Sequence, residues 1–158
     1  MPFRALELPA ATAGRVWLSS MPGRLEGWPA FLDEAAAHGI ERVLCLNPLY
    51  EVERLSPAYA AAIAEGSLPF AWTHLPMLDF GLAEQVDGYR RTLDDVADEV
   101  VAGRIVLLHC AAGIGRTGTT AACLLKRLGS PTAQALARVR AAGSNPESAL
   151  QQGLIERF

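Results

Sequence analysis

A cysteine and an arginine with five residues between them mark the stretch from Ile105 to Gly118, which reads IVLLHCAAGIGRTG. Cys110 opens the run and Arg116 closes it, and between them lie Ala111, Ala112, Gly113, Ile114 and Gly115. Small residues let a backbone wrap closely round a ligand. A helix that begins at the end of such a run turns its unpaired amides and positive dipole end on the same spot. Together these features bind an oxyanion, and phosphate is the usual one. Amides, dipole and guanidinium also favour the thiolate form of a cysteine placed there. Arg116 can give two parallel hydrogen bonds to a phosphoryl group. A nucleophile and an anion clamp at the two ends of one cradle point to displacement at phosphorus through a cysteinyl-phosphate, with the amides of Ala111 to Gly115 binding the phosphate.

Such chemistry needs elements that aim it. Ile105 to Leu108 are four apolar residues, a buried strand by composition, and TTAACLLKRLG after Gly118 reads as a helix stopped by Gly129. Upstream, Phe3–Leu8 and Val16–Leu18 are strand candidates, and Trp28–His38 is a helix with Pro29 in its first turn. Ile40–Leu46 is a strand, and Ser56-Pro57 starts a helix with Ser56 as its cap and Gly66 as its end. Phe70–Leu75 is a strand that leads through Pro76 and Gly81 into a loop. Val86, Tyr89, Leu93, Val96, Ala97 and Val100 recur at helical spacing before Gly103. Two more helices follow, one capped by Ser130-Pro131 and one running from Asn145-Pro146 to Phe158. Strands alternating with helices predict a mainly parallel α/β sheet with helices on both faces. In such sheets ligands bind beyond the carboxyl ends of the strands, where Cys110 stands.

Composition sets the outer limits. The 158 residues fit one domain, 1–158, with 51% hydrophobic and 20% charged residues. A net charge of −3 gives no electrostatic case for nucleic acid or an anionic membrane. No apolar run has the length of a signal peptide core or a membrane span. A cytoplasmic location and a monomer are expected. Three cysteines, Cys45, Cys110 and Cys123, lack framework spacing and suit a reducing compartment. Cys45 and Cys123 read as buried structural thiols. No cofactor is implied, and no metal site either, because no pair of cysteines or histidines has ligand spacing.

His-Cys-x5-Arg-Thr-Gly resembles the signature of the cysteine-dependent protein phosphatases, the tyrosine and dual-specificity superfamily, and the order of elements is similar to their compact members over nearly the whole chain. The leaving oxygen of such a reaction needs a proton as its bond to phosphorus breaks. In the compact members the acid follows a strand in a His-x-Pro-x-x-Asp pattern. His74, Pro76 and Asp79 match it, so the resemblance implies Asp79 as general acid; Asp87, Asp94 and Asp95 compete less well because they lie within a helix. Thr117 follows the arginine and is placed either to donate to the sulfur as it leaves or to cap the helix, or both. His109 reads as a buried residue that orients the loop, with a proton-transfer role as the lesser alternative. The family often positions water with a glutamine just before the last helix. Gln151 and Gln152 lie in such a segment, and the spacing of Leu154, Ile155 and Phe158 favours Gln151.

Gly113, Gly115 and Gly118 also spell G-x-G-x-x-G, the dinucleotide-binding fingerprint. That rival, an oxidoreductase, requires an acidic residue about 20 positions on, yet none occurs between Gly118 and Glu147, and it leaves Cys110 and Arg116 unexplained. A sulfurtransferase would leave Thr117 and Asp79 unexplained, and a non-catalytic phosphate binder would not keep all of these groups. Within phosphatases, the five loop residues include no base. Relatives that act on inositol phosphates tend to carry lysines there, so a phosphorylated protein is the expected substrate, phosphotyrosine before phosphoserine or phosphothreonine. A non-protein monoester such as an inositol lipid is the alternative. Asn47–Arg54 is expected to wall the pocket, with Tyr50 either stacking on substrate or packing at the surface.

Overall fold

In the computed structural model, which describes residues 3–77 and 86–158, a five-stranded sheet is ordered β1-β2-β5-β3-β4. The strands are β1 (Arg4–Leu6), β2 (Arg15–Ser19), β3 (Arg42–Cys45), β4 (Ala71–His74) and β5 (Ile105–His109). β2, β5, β3 and β4 run parallel, and only β1 is antiparallel, on the outer side of β2. The helices are α1 (Trp28–Ala37), α2 (Leu49–Leu55), α3 (Pro57–Glu65), α4 (Val86–Val101), α5 (Gly115–Arg127), α6 (Thr132–Ala141) and α7 (Ala149–Arg157).

The sheet is covered on both faces, and strand alternation divides its residues between them. Val16, Leu18, Leu44, Val106 and Leu108 join the core under α4, α5, α6 and α7. Their neighbours Trp17, Val43 and Leu107 turn the other way, against Phe31 and Ala35 of α1. Cys45 joins Met21, Val52 and Tyr59 in a smaller cluster under α2 and α3. α5 lies at the centre of the first core, and every residue from Gly115 to Leu125 is buried. Burial all round explains its run of Gly, Thr and Ala: larger side chains would not fit between sheet and helices. α4 buries Tyr89, Leu93, Val96, Ala97 and Val100 as its spacing predicts, whereas Val86 is exposed.

The segment Asn47–Arg54, expected to wall the pocket, carries most of the short helix α2, Leu49–Leu55. Two expected caps are corrected here. Ser56 precedes α3 without capping it; its hydroxyl donates instead to the carbonyl of Pro22 at 2.7 Å. α6 likewise starts at Pro131 without a side-chain cap, while Ser148 does cap α7, accepting from the Gln151 N–H. After β5 only helices follow among the described residues, which removes the strands a dinucleotide fold would need.

Register decides what meets at the site. Ser19 pairs with His109, His109 with Cys45, and Cys45 with His74, so four parallel strands end in one row. The segments that follow them, Ser20–Met21, Cys110 onward, Leu46–Asn47 and Leu75–Met77, therefore converge at one edge of the sheet. Backbone bonds confirm it: Met21 N–H donates to Ala111, Leu46 N–H to His109, and Met77 N–H to Leu46.

Candidate active site

The loop after β5 is shaped by where its carbonyls go. In a trans peptide the C=O and the following N–H point in opposite directions. Every carbonyl turned outward thus sends the next amide inward. The Cys110 carbonyl lies 3.3 Å from His109 Nδ1. The Ala111 carbonyl accepts from Met21 N–H and from Arg24 Nη1 at 2.8 Å. The Gly113 carbonyl accepts from Arg4 Nη2 at 2.5 Å and Ser144 Oγ at 2.6 Å. The Ile114 carbonyl accepts from Gly118 N–H, the first bond of α5, and from Asn145 N–H. One inward amide is seen directly, since Gly113 N–H donates to Cys110 Sγ at 3.3 Å. The sulfur therefore sits at the floor of a ring of N–H groups, buried at 3% exposure.

The glycines make that ring possible. Gly113 has φ +78°, and a Cβ there would lie 2.6 Å from the backbone of Ser19. A Cβ on Gly118 would lie 2.7 Å from the Asn145 nitrogen. Close packing against two neighbouring segments, and not a nucleotide, accounts for the G-x-G-x-x-G spacing.

Arg116 is inside the first turn of α5 and is 2% exposed. Its Nη1 and Nη2 donate to the two carboxylate oxygens of Glu51 at 2.8 and 3.0 Å, and Nη1 also donates to the Met77 carbonyl at 3.0 Å. Glu51 comes from α2, so that helix holds the guanidinium at the end of the loop. Met77 brings the chain that leads to Asp79 into contact with the same arginine. Asp79 itself lies outside the described residues. His74, at the start of that segment, lies 2.7 Å by its Nε2 from the Asn47 carbonyl, which ties β4 to the end of β3.

The family model for the Swiss Army Knife protein, DSP-PTPase phosphatase domain, matches residues 17–152. The chain belongs to that family. Among solved structures the phosphatase domain is similar to kinase associated phosphatase with its catalytic-site cysteine replaced by serine, at 18% identity and a TM-score of 0.85, over 100% of this chain and 94% of that one. It is also similar to Tk-PTP in the active form, at 28% identity and a TM-score of 0.73, over 98% and 95%. PTPMT1 in complex with PI(5)P matches at 20% identity and a TM-score of 0.66, over 96% and 92%. No curated protein sequence matches the chain.

The remaining expected residues of the phosphatase domain are placed as follows. His109 is fully buried, and its Nε2 lies 2.8 Å from Tyr59 Oη, which accepts from Trp72 Nε1 at 2.9 Å. An indole N–H can only donate. The Tyr59 proton is then left for His109 Nε2, and the Nδ1 proton faces the Cys110 carbonyl. Burial pushes the imidazole down to about 3, so it stays neutral. Thr117 is the third residue of α5, whose cap position is Ile114, so it is not the helix cap. Its hydroxyl is buried and has no hydrogen-bond partner among the described residues. Gln151 is buried and Gln152 exposed. Gln151 Oε1 accepts from Glu147 N–H at 2.8 Å, and its Nε2 is buried without a partner among the described residues. Buried polar groups are nearly always satisfied, so two open donors on two residues named by the chemistry are notable.

Cys45 is buried and free; burial pushes its thiol up to about 12 and its Sγ donates to the Asn47 carbonyl at 3.7 Å. Cys123 is likewise buried and pushed up to about 12. Tyr50 is 62% exposed on α2. Among the described residues no helix is long and apolar enough to cross a membrane.

Glu51, Arg24, Arg4, Ser144, Tyr59 and Trp72 were not legible as site residues in the sequence. Only Glu51 carried a signal, as an acid inside the segment already singled out as a wall.

Proposed function

We propose that this domain hydrolyses phosphotyrosine monoesters on proteins, with phosphoserine and phosphothreonine as lesser substrates, through a cysteinyl-phosphate. The observation that carries the reading is the Gly113 N–H donating to Cys110 Sγ, in a loop whose outward carbonyls turn its other amides inward, with Arg116 held by Glu51 at the loop's far end. Cys110 thiolate attacks phosphorus; the S–P bond forms as the P–O bond to the tyrosine breaks. Asp79 gives its proton to the leaving oxygen. The amides of Ala111 to Gly115 and the Arg116 guanidinium take the charge of the transferring phosphoryl group. In the second step water attacks phosphorus, gives its proton to Asp79 and releases Cys110 as thiolate. Gln151, with its Nε2 open, is the group to hold that water, and the open Thr117 hydroxyl donates to the departing sulfur. His109 orients the loop, because both of its ring nitrogens are committed and burial keeps the ring neutral near neutral pH.

The uncharged lining from Ala111 to Gly115 supports a protein over a highly charged inositol substrate. One relative of known structure holds PI(5)P, so inositol lipids belong in the test. Turnover of p-nitrophenyl phosphate that survives a chelator and disappears in Cys110→Ser tests the chemistry. A panel of phosphotyrosine, phosphothreonine and phosphoserine peptides beside phosphoinositides tests the substrate. Preference for the lipids would overturn the protein assignment, and full activity of Cys110→Ser would overturn the mechanism.

A further inference from the structure

Arg4 reaches the loop from β1, the outer strand of the sheet, 109 residues away in sequence. Its Nη2 donates to the Gly113 carbonyl at 2.5 Å, and its Nη1 to the Ala142 carbonyl at 2.7 Å and Ser144 Oγ at 2.9 Å. Ser144 is 1% exposed and passes its own proton to the same Gly113 carbonyl at 2.6 Å. Guanidinium, hydroxyl and carbonyl thus close a triangle outside the loop. Gly113 lies between Ala112 and Ile114 with φ +78°, and glycine visits either sign of φ at little cost. On its Gly113 side the peptide between Gly113 and Ile114 therefore has no Cβ to fix its direction. Turned over, it would aim a carbonyl oxygen at the phosphate where an N–H is needed.

We propose that Arg4, together with Ser144, is a positioning residue of this phosphatase: by holding the Gly113 carbonyl outward it aims the Ile114 N–H at the phosphate. The inference rests on the proposed phosphate chemistry at Cys110, though not on the identity of the substrate. Burial lowers the Arg4 guanidinium and the Cys110 thiolate raises it, which places the cation within electrostatic reach of the sulfur as well. The fork geometry matters because two nitrogens of one planar group reach three acceptors in fixed directions, whereas an ammonium offers its three donors from a single point.

The test compares wild type with Arg4→Met, Arg4→Lys and Ser144→Ala. Binding of inorganic phosphate is measured by calorimetry, and kcat and KM are measured with p-nitrophenyl phosphate, all well below each variant's unfolding temperature. Hydrogen bonds to charged groups set the scale: Arg4→Met should weaken phosphate binding and kcat/KM by about tenfold to a hundredfold. KM should rise as well as kcat fall, because the amide meets the phosphate before and during reaction. Arg4→Lys should recover part of the loss, and Ser144→Ala should show a smaller one. A destabilised but correctly aimed loop would keep its phosphate affinity. Equal affinity in folded Arg4→Met and wild type overturns the clamp. If Arg4→Met does not fold, unchanged affinity in both Arg4→Lys and Ser144→Ala overturns it. Wild type that binds phosphate without turning over the ester would sink the proposed activity, and the binding series would still judge the clamp.

Discussion

Replacing Glu51 with alanine strips Arg116 of a two-bond partner inside the protein. The pair is 2% and 9% exposed, with bonds of 2.8 and 3.0 Å. Breaking a buried pair from one side costs about 3–5 kcal/mol. In a domain of this size each kcal/mol moves the melting temperature by about 2–4 °C. Glu51→Ala should therefore melt roughly 6–20 °C below wild type. Removing both charges is a different matter, since apolar replacement of a whole buried pair is often neutral. Glu51→Ala/Arg116→Met should accordingly be more stable than Glu51→Ala alone. Activity follows another course: Glu51→Ala should lose roughly tenfold to a hundredfold in kcat/KM through misdirection of Arg116, and the double variant should lose more. Thermal unfolding by circular dichroism and p-nitrophenyl phosphate kinetics on the three proteins decide it. A melting temperature of Glu51→Ala within about 2 °C of wild type would refute the argument. So would additive losses of stability in the double variant.

Other perturbations probe other parts of the site. His109 binds no proton in the folded chain until about pH 3, whereas an unfolded histidine does so near 6.5. Its contribution is thus whole above pH 6.5 and is lost as pH falls towards 3, by about 1.4 kcal/mol per unit and at most about 5 kcal/mol; denaturant melts across that range should show a flatter acid limb in His109→Gln. Gly113→Ala forces a Cβ against Ser19 and a side chain into positive φ, so kcat/KM should fall by about a hundredfold or more while the circular dichroism spectrum is kept. Asp79→Asn should slow turnover by about a hundredfold to ten-thousandfold and abolish the alkaline fall of the pH profile, since that fall reports loss of the acid's proton; a retained alkaline limb would assign the proton to another group.

Much of this architecture could be read from residue types. The apolar run before Cys110 is the central strand, and the spacing from Tyr89 to Val100 is the buried face of α4. Local patterns were sufficient there because burial on a strand or a helix stripe leaves a period in the sequence. That Gln151 is buried and Gln152 exposed was legible for the same reason, as a matter of helical register. α2 was not, because Pro48 and seven mixed residues carry no clear period. Nor were the caps: Ser56 and the residues before α6 look like capping sequences, yet Ser56 finds a better acceptor in Pro22. The partners of the loop escaped most completely. Arg4, Glu51 and Ser144 meet it across separations of 109, 65 and 31 residues, and apart from the place of Glu51 in the wall segment nothing local in their surroundings marks them.

Those long separations bear on how the loop behaves when the protein loosens. Surface loops ordinarily open on their own, at little free-energy cost, and exchange their amide protons from that partly open state. Here the strands and helices that grip the loop come from both ends of the chain and from its middle. No small cooperative unit contains the loop together with all its anchors. Amide exchange at Gly113 and Gly118 should therefore be slow and should follow global unfolding, and inactivation by heat or denaturant should coincide with loss of the whole fold.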